Sequence, residues 1–339
     1  MTLGNRTGPA RNVRSWVAAL PLLIVGTTSA FSAEPSPLAG VRRVVFLGDS
    51  ITYSGGFIEF VEAELRLRDP ALGCEFLNLG LPSETVSGLS EPGHAGGAFP
   101  RPGLHERLDR VLEKTRPDLV VACYGMNDGI YHPFDEGRFA KFQDGLRSLR
   151  RRAAGAGAKV LHITPPVFDP IPIAASTLPA GLAEYRQPFV GYDEVLARYS
   201  EWLLTQRQDG WDVVDIHDIM AQHLARERQL DPKYRLAADG VHINEVGHLL
   251  IARQLLAHWG VSTREFDDAK KADGVFSSRA HGLDVLDLVR RRQRMLKDAW
   301  LTETGHKRPG MTPGLPLDEA NRRAAEIGLQ LRALLSPGP

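Results

Sequence analysis

Five short apolar runs alternate with amphipathic segments of helical length, and this alternation constrains the fold more than any other feature of the chain. Strands are predicted at residues 43–47, 75–79, 118–124, 159–164 and 212–215, and helices at residues 57–68, 104–115, 136–154, 192–208 and 244–259. Strands that alternate with helices of this length indicate a parallel sheet with right-handed crossovers. The predicted fold class is therefore α/β, a three-layer α/β/α sandwich with a five-stranded parallel sheet in the order 2-1-3-4-5.

The composition is typical of a globular protein with a large core. The chain has 339 residues, of which 43% are hydrophobic and 24% are charged. Lys and Arg together number 41, as do Asp and Glu, so the formal net charge is zero. A chain without net positive charge lacks the electrostatic footprint of a nucleic-acid-binding protein. No nucleic-acid partner is expected.

The first 33 residues have the layout of a secretory signal peptide. Arg6, Arg11 and Arg14 precede an apolar run at residues 16–25, and small residues follow through Ala30 and Ala33. The alternative is a membrane anchor, but the apolar run is shorter than the roughly 20 residues that a spanning helix needs. We expect residues 1–33 to be removed and the protein to be exported, periplasmic or extracellular, without stable membrane insertion.

The two cysteines are predicted to be free and buried. Cys74 stands at the start of the second predicted strand and Cys123 near the end of the third. The first strand separates these two in the predicted order, so the cysteines lie two strand spacings apart, about 9 to 10 Å, which exceeds the Cα reach of a disulfide. Export alone would have permitted a disulfide.

The first predicted strand ends in Gly48-Asp49-Ser50 and so delivers a hydroxyl to the carboxyl edge of the sheet. Open α/β sheets place their ligand sites at this edge. On its own the tripeptide is a weak signal, since Asp and Ser after a strand are more often turn and helix-cap residues. Three further blocks follow in order: NLGLPSET at residues 78–85, GMND at residues 125–128 and DGVH at residues 239–242.

These four blocks together resemble the SGNH hydrolases, also called GDSL-type esterases and lipases, and the likeness covers about Val41 to Gly260. It implies a catalytic triad of Ser50, Asp239 and His242. A histidine is a suitable base at neutral pH, and a hydroxyl attacks a carbonyl only when a base takes its proton. Asp239 would orient the His242 ring from three residues away. No cofactor and no metal are implied.

The resemblance also implies an oxyanion hole of the Ser50 N–H, a backbone N–H from the second block and the Asn127 side-chain amide. The chain departs from the family pattern here, because the position that is usually glycine is Ser83. Ser83 is favoured as the donor, since any residue other than proline has an N–H, and Gly80 is its substitute. Asp128 is interpreted as bracing its loop, and His248 as structural.

Two long loops, residues 80–103 and 165–191, follow strand ends and are rich in glycine and proline. Loops of this length are often functional, although mobile surface loops are the alternative. His94 and His132 occupy or border these loops and are candidates for lining a substrate cleft.

The domain boundaries follow from these patterns: a signal peptide at 1–33, a hydrolase domain at 41–260 and a C-terminal helical extension at 261–339. The extension has a polar linker and helical stretches at residues 284–302 and 317–335. Apolar residues at helical spacing predict packing on the main domain or on a second subunit, and so a possible homo-oligomer. They are Leu286, Val289, Leu296 and Trp300. The neighbouring basic run is interpreted as a solvated helix face; its members are Arg290, Arg291, Arg292 and Arg294.

The sequence therefore predicts an exported serine esterase that hydrolyses small acyl esters, O-acetyl above all, carried by a small molecule or a glycan. Rhamnogalacturonan acetylesterases resemble this architecture. A lipase, lysophospholipase or arylesterase of the same family is the first alternative and would need an apolar channel under residues 165–191. Its candidate lining is Val167, Phe168, Ile171, Ile173 and Leu178. A non-catalytic binding protein on the same fold is the second alternative.

Overall fold

A five-stranded parallel sheet forms the centre of the computed structural model, which describes Gly4, Gly8 and residues 38–267 and 269–336. The strands are β1 (Arg43–Gly48), β2 (Glu75–Asn78), β3 (Leu119–Cys123), β4 (Lys159–Ile163) and β5 (Asp212–Val214). Their order is β2-β1-β3-β4-β5, which confirms the predicted topology. β1 and β3 are buried almost along their whole length, as expected for inner strands of a sheet covered on both faces.

The helices occupy the segments between and after the strands. They are α1 (Ser50–Ser54), α2 (Gly56–Arg68), α3 (Leu108–Thr115), α4 (Glu136–Gly155), α5 (Tyr192–Thr205), α6 (His217–Leu230), α7 (Glu245–His258), α8 (Ala272–Phe276), α9 (Gly282–Thr304) and α10 (Leu317–Leu335). Single 3₁₀ turns lie at His94–Gly97, Leu104–Glu106, Ile171–Ser176, Gln206–Asp209 and Arg264–Phe266. Both long loops thus contain a turn of helix instead of being wholly irregular.

Three helices were not predicted, namely α1, α6 and α8. The longest of them, α6, buries only His217, Met220 and Leu224, so its apolar stripe is too narrow for periodicity to reveal. α8 begins within the predicted polar linker, residues 263–274, and extends two residues beyond it. α1 is five residues long, below the length at which a helical period can be recognised.

The C-terminal helices pack on the sheet domain, with α9 against α2 and β2, and α10 against α9. All four members of the predicted apolar stripe are buried, including Leu296 at the helix centre and Trp300 near its end. The stripe therefore faces the same chain. Association with a second subunit stays a prediction.

The interpretation of the basic run as a solvated face was wrong for two of its arginines. Arg292 is buried and lies 3.1 Å from the Glu62 carboxylate of α2, and Arg290 lies 3.5 Å from Glu59. Arg292 and Glu62 are 230 residues apart in sequence, and Arg290 is as far from Glu59, so no local pattern could have indicated either pairing. Arg291 is exposed, as predicted.

Cys74 and Cys123 are both buried and free, which confirms that prediction. Burial raises the pKa of the Cys74 thiol to about 12. Within residues 38–267 and 269–336 no helix is long and apolar enough to cross a membrane. The predicted signal peptide lies outside the described residues, apart from Gly4 and Gly8.

Candidate active site

Ser50 is the first residue of α1, directly after the end of β1. A Cβ atom at Gly48 would lie 2.1 Å from Thr52 Oγ1 and 2.6 Å from the Cys123 carbonyl oxygen, so only glycine fits at this turn. Asp49 caps the short helix, because its Oδ1 accepts a hydrogen bond from the Ile51 N–H at 2.9 Å. The turn fixes the Ser50 hydroxyl at the carboxyl edge of the sheet.

The structure brings Ser50, His242 and Asp239 into one hydrogen-bonded chain. Ser50 Oγ lies 2.8 Å from His242 Nε2, and His242 Nδ1 lies 2.6 Å from Asp239 Oδ2. Because Nδ1 faces a carboxylate, it carries the ring proton, and Nε2 is left to accept from the serine. More than half of each side chain, 55% for His242 and 56% for Asp239, is exposed, so solvent reaches the site.

The turn that carries the aspartate and the histidine is braced by its own carboxylate. Asp239 Oδ1 accepts the backbone N–H groups of Val241 at 3.0 Å and of His242 at 2.8 Å. Burial raises the pKa of Asp239, but the hydrogen bonds from the His242 ring and from these amides outweigh it, so the pKa is lowered. Gly240 has a φ of +78°, which glycine adopts readily. Asp239 therefore stays ionised beside His242.

Two backbone N–H groups near the serine are unoccupied. Those of Ser50 and Ser83 donate no hydrogen bond within residues 38–267 and 269–336. Ser83 has a φ of +69°, a left-handed conformation that glycine adopts without strain. The Gly80 N–H, by contrast, donates to Asn78 Oδ1 at 2.9 Å. Gly80 instead serves close packing, because a Cβ atom there would lie 2.3 Å from the Tyr53 nitrogen.

The Asn127 side chain is buried at the loop that follows β3. Its Nδ2 donates to the Glu84 carbonyl oxygen at 3.2 Å, which places the amide beside the residue that follows Ser83. Its Oδ1 accepts from Arg101 Nη1 at 2.8 Å and from the Tyr131 hydroxyl at 3.2 Å. One hydrogen of the Nδ2 group remains for another acceptor.

A comparison with protein families identifies the family of this chain. A model of the GDSL-like lipase/acylhydrolase family matches residues 46–250, which is more than half of the chain. The chain belongs to this family. It is an ester-hydrolysing enzyme. A search of curated proteins finds no significant match.

Solved structures share the fold of this GDSL hydrolase at low identity. A gut microbial diltiazem-metabolizing enzyme is 20% identical with a TM-score of 0.52, over 66% of this chain and 48% of that one. This chain thus covers about half of that enzyme's length. A catalytic mutant of an acetylxylan esterase from Geobacillus stearothermophilus is 19% identical, with a TM-score of 0.47 over 66% of this chain and 97% of that one. Another acetyl xylan esterase is 21% identical, with a TM-score of 0.46 over 63% and 98%.

A buried ion pair that the sequence did not indicate supports the Ser83 loop of the GDSL hydrolase. Arg107 Nε and Nη2 donate to the two Glu84 carboxylate oxygens at 2.6 and 2.7 Å. Arg107 also donates to the Leu79 carbonyl oxygen, and the Tyr124 hydroxyl donates to Glu84 Oε2, both at 2.7 Å. Both charged side chains are almost fully buried. The partners are 23 and 40 residues from Glu84, so no spacing rule could have found them.

Two further buried carboxyls of the hydrolase lie behind the site. Burial raises the pKa of Asp49 to about 7, and the nearby Asp128 carboxylate contributes to this rise. Burial also raises the pKa of Asp128, to about 6, against the hydrogen bond that its Oδ1 accepts from the Ser87 N–H at 2.8 Å. That bond ties the loop after β3 to loop 80–103, in line with the bracing role predicted for Asp128.

The raised pKa of Asp49 predicts that stability depends on pH. Unfolded Asp titrates near 3.9, so between about pH 4 and 7 the folded protein binds more protons than the unfolded chain. The free energy of unfolding should therefore fall as pH rises through this window, with a slope approaching about 1.4 kcal/mol per unit. Asp49→Asn cannot ionise and still caps α1, so its unfolding free energy should fall less steeply.

Urea unfolding at several pH values measures this difference in slope. Asp144→Asn is the matched control, because the Asp144 carboxylate is 73% exposed. Parallel pH profiles for wild type and Asp49→Asn would contradict the prediction.

The remaining candidate histidines separate into two groups. His248 Nε2 lies 2.9 Å from Ser54 Oγ, and burial lowers the pKa of its ring to about 4, in keeping with a structural role. His94 and His132 line a cavity of about 810 Å³ between the two long loops. Their role in a substrate cleft stays a prediction. The cavity's other polar lining residues are Glu91, Tyr131, Glu184, Tyr185, Arg186 and Gln187.

Proposed function

We propose that this enzyme is a serine esterase that works through an acyl-enzyme, with Ser50 as nucleophile, His242 as base and Asp239 as its orienting carboxylate. The observation that carries the proposal is the hydrogen-bonded chain of 2.8 Å and 2.6 Å through these three side chains. Ser50 Oγ would attack the ester carbonyl carbon while His242 Nε2 takes its proton. That proton then goes to the leaving alcohol oxygen, and a water activated in the same way releases the acid.

The tetrahedral intermediate needs donors for its oxyanion. The free N–H groups of Ser50 and Ser83 and the remaining hydrogen of Asn127 Nδ2 are available for this role. Ser83 has a left-handed backbone, the conformation that glycine, the residue usual at this family position, adopts without strain. Gly80 is the weaker candidate, because its N–H already has an acceptor.

Substitutions at Ser83 and Asn127 should therefore have contrasting effects. Ser83→Ala and Ser83→Gly keep the backbone N–H, so kcat should stay within a few-fold of wild type. Asn127→Ala deletes a donor and should lower kcat by about 10² to 10³, with little change in KM. Steady-state kinetics on a p-nitrophenyl ester measure both. If Ser83→Ala were as damaging as Asn127→Ala, the Ser83 hydroxyl itself would be a donor or a substrate contact.

The cavity between the long loops favours a polar alcohol such as a carbohydrate as the other half of the substrate. His94 Nε2 and His132 Nε2 are buried and have no hydrogen-bond partner within the described residues. Both residues line the cavity together with Tyr185, so the cavity wall carries aromatic rings that a hydroxyl-rich ligand can pack against. Two other lining residues connect the cavity to Asn127, a proposed oxyanion-hole donor. The Tyr131 hydroxyl donates to Asn127 Oδ1 directly, and Glu91 accepts from Arg101, which itself donates to that oxygen.

The lipase alternative requires an apolar channel, and the residues expected to line it do not share one environment. Val167 and Phe168 are buried in the core, while Ile171 is 54% exposed. These three and the other two candidates, Ile173 and Leu178, are all among the described residues, and none of them lines the cavity. We therefore favour a short acyl group, most of all acetyl, over a long chain.

Activity-based labelling combined with an ester panel tests these assignments. A fluorophosphonate should label wild type and not Ser50→Ala, whereas a non-catalytic binding protein would not be labelled at all. Hydrolysis rates should fall from acetyl to palmitoyl p-nitrophenyl esters, and acetylated glycans should be deacetylated. A preference for palmitoyl esters would favour the lipase alternative.

Export is part of the proposal and is supported by the composition of residues 1–33. The N-terminal sequence of the mature protein, purified from the periplasm or the medium of an expressing bacterium, tests it. A mature chain that retains its first residues in the cytoplasm would overturn it.

A further inference from the structure

The Asn127 amide is locked in one orientation by contacts outside the triad. Arg101 Nη1 donates to Asn127 Oδ1 at 2.8 Å, and the Tyr131 hydroxyl reaches the same oxygen at 3.2 Å. On the other side, Nδ2 donates to the Glu84 carbonyl oxygen at 3.2 Å. A flipped amide would turn its NH₂ group towards a guanidinium and its oxygen towards a carbonyl, and both contacts would be repulsive.

Arg101 is itself held rigidly. Its Nε and Nη2 form a two-pronged ion pair with the Glu91 carboxylate at 2.6 and 2.7 Å. The guanidinium lies 5.3 Å from the centre of the Tyr131 ring, and only 6% of the Arg101 side chain is exposed. The Arg101 backbone N–H donates to Ser90 Oγ at 2.9 Å. The side chains of Ser90, Glu91 and Tyr131 therefore hold Arg101 in place.

We infer that Arg101 is a positioning residue for the oxyanion hole, acting through Asn127. Its cation fixes which end of the amide faces the reacting ester. It also polarises the amide, since a hydrogen bond from a charged donor is about twice as strong as a neutral one. A polarised amide is a better N–H donor to the developing negative charge. The inference rests on the proposed role of Asn127.

The pairing with Glu91 explains why an arginine is present. Lysine has a single ammonium and cannot form a two-pronged pair with Glu91 while donating along a fixed third direction to Asn127. A planar guanidinium does both at once. No local pattern indicates this role, because Arg101 stands between two prolines in a loop, 26 residues before Asn127.

Kinetics on p-nitrophenyl acetate test the inference by a double-mutant cycle. Arg101→Met should lower kcat by about 10- to 100-fold, less than Asn127→Ala, with KM within about two-fold. In the Asn127→Ala background, Arg101→Met should lower kcat by less than about two-fold, because the side chain through which Arg101 acts is absent. Arg101→Lys should recover part of the loss, since it can still donate to Asn127 Oδ1.

Two variants keep the test decisive if Arg101→Met folds poorly. Arg101→Met with Glu91→Gln removes the pair without leaving a lone carboxylate, and it should show the same loss of kcat. Arg292→Met removes another buried, ion-paired arginine, on α9, and should lower the thermal midpoint without lowering kcat. A loss of kcat in both arginine variants in proportion to their loss of stability would overturn the inference.

The outcomes also separate this inference from the proposed function. Equal losses from Arg101→Met in the wild-type and Asn127→Ala backgrounds would show that Arg101 acts by another route, and the inference would be wrong. If Asn127→Ala alone left kcat unchanged, the oxyanion assignment would fail, and the positioning role would fail with it. Fluorophosphonate labelling of Ser50 would then still report whether the triad is active.

Discussion

Ser50→Ala and His242→Ala should each abolish nearly all turnover, a loss on the order of 10⁶ in kcat, and the double variant should lose little more. The reason is that the two side chains share one proton-transfer step, so removing either removes the step. Their 2.8 Å contact is the only link through which the serine can be activated among the described residues. Turnover of an activated ester by all three variants and wild type measures the effect. Multiplicative losses would contradict a shared step.

The chain supplies a matched control for this experiment. Ser54, on the same short helix as Ser50, also lies 2.9 Å from a histidine Nε2, that of His248. His248 Nδ1 has no hydrogen-bond partner within the described residues, whereas His242 Nδ1 faces the Asp239 carboxylate. Ser54→Ala should therefore leave both turnover and labelling nearly unchanged. Equal loss in Ser54→Ala and Ser50→Ala would show that proximity to a histidine does not identify the nucleophile.

Arg107→Met should destabilise the fold by about 3 to 5 kcal/mol, the usual cost of leaving one partner of a buried ion pair unpaired. Glu84 would remain as a buried carboxylate with only the Tyr124 hydroxyl as a side-chain donor, and the Leu79 carbonyl oxygen would lose its bond from Arg107. Urea unfolding measures the change. Because these contacts hold the loop that carries Ser83, kcat should also fall.

Two control variants show whether the loss of stability in Arg107→Met comes from the buried ion pair. Arg107→Met with Glu84→Gln should recover part of the stability, because no uncompensated charge remains. Arg147→Met breaks an exposed pair with Asp144 and should cost at most about 1 kcal/mol. If Arg107→Met cost no more than Arg147→Met, the buried pair would not be holding the loop.

The sheet and the triad contacts could be predicted because their signals are local. Each strand is a continuous apolar run, and Asp239 and His242 are three residues apart, so a turn brings them together whatever surrounds it. Parallel topology then carries the ends of β1 and β3, and with them Ser50 and Asn127, to one edge. The catalytic roles of these residues stay predictions until they are tested.

What the sequence could not predict depends on contacts between distant residues. Arg101 and Arg107 look like ordinary loop charges, and only the folded chain shows that each is buried against a carboxylate. The ion pairs between α2 and α9 are hidden for the same reason. α6 was not predicted because a helix that buries only three side chains shows almost no helical periodicity of apolar residues.

The pairing of α2 with α9 joins the region of the family match to helices that lie beyond it. The family match ends at residue 250. The Glu62 carboxylate accepts hydrogen bonds from Arg66, within the match, and from Arg292 and Gln293, which lie beyond it. Lys297 also donates to the Tyr53 carbonyl oxygen at 3.0 Å, three residues from Ser50. Glu59, Glu62 and Glu64 of α2 therefore all pair with arginines that lie outside the region of the family match.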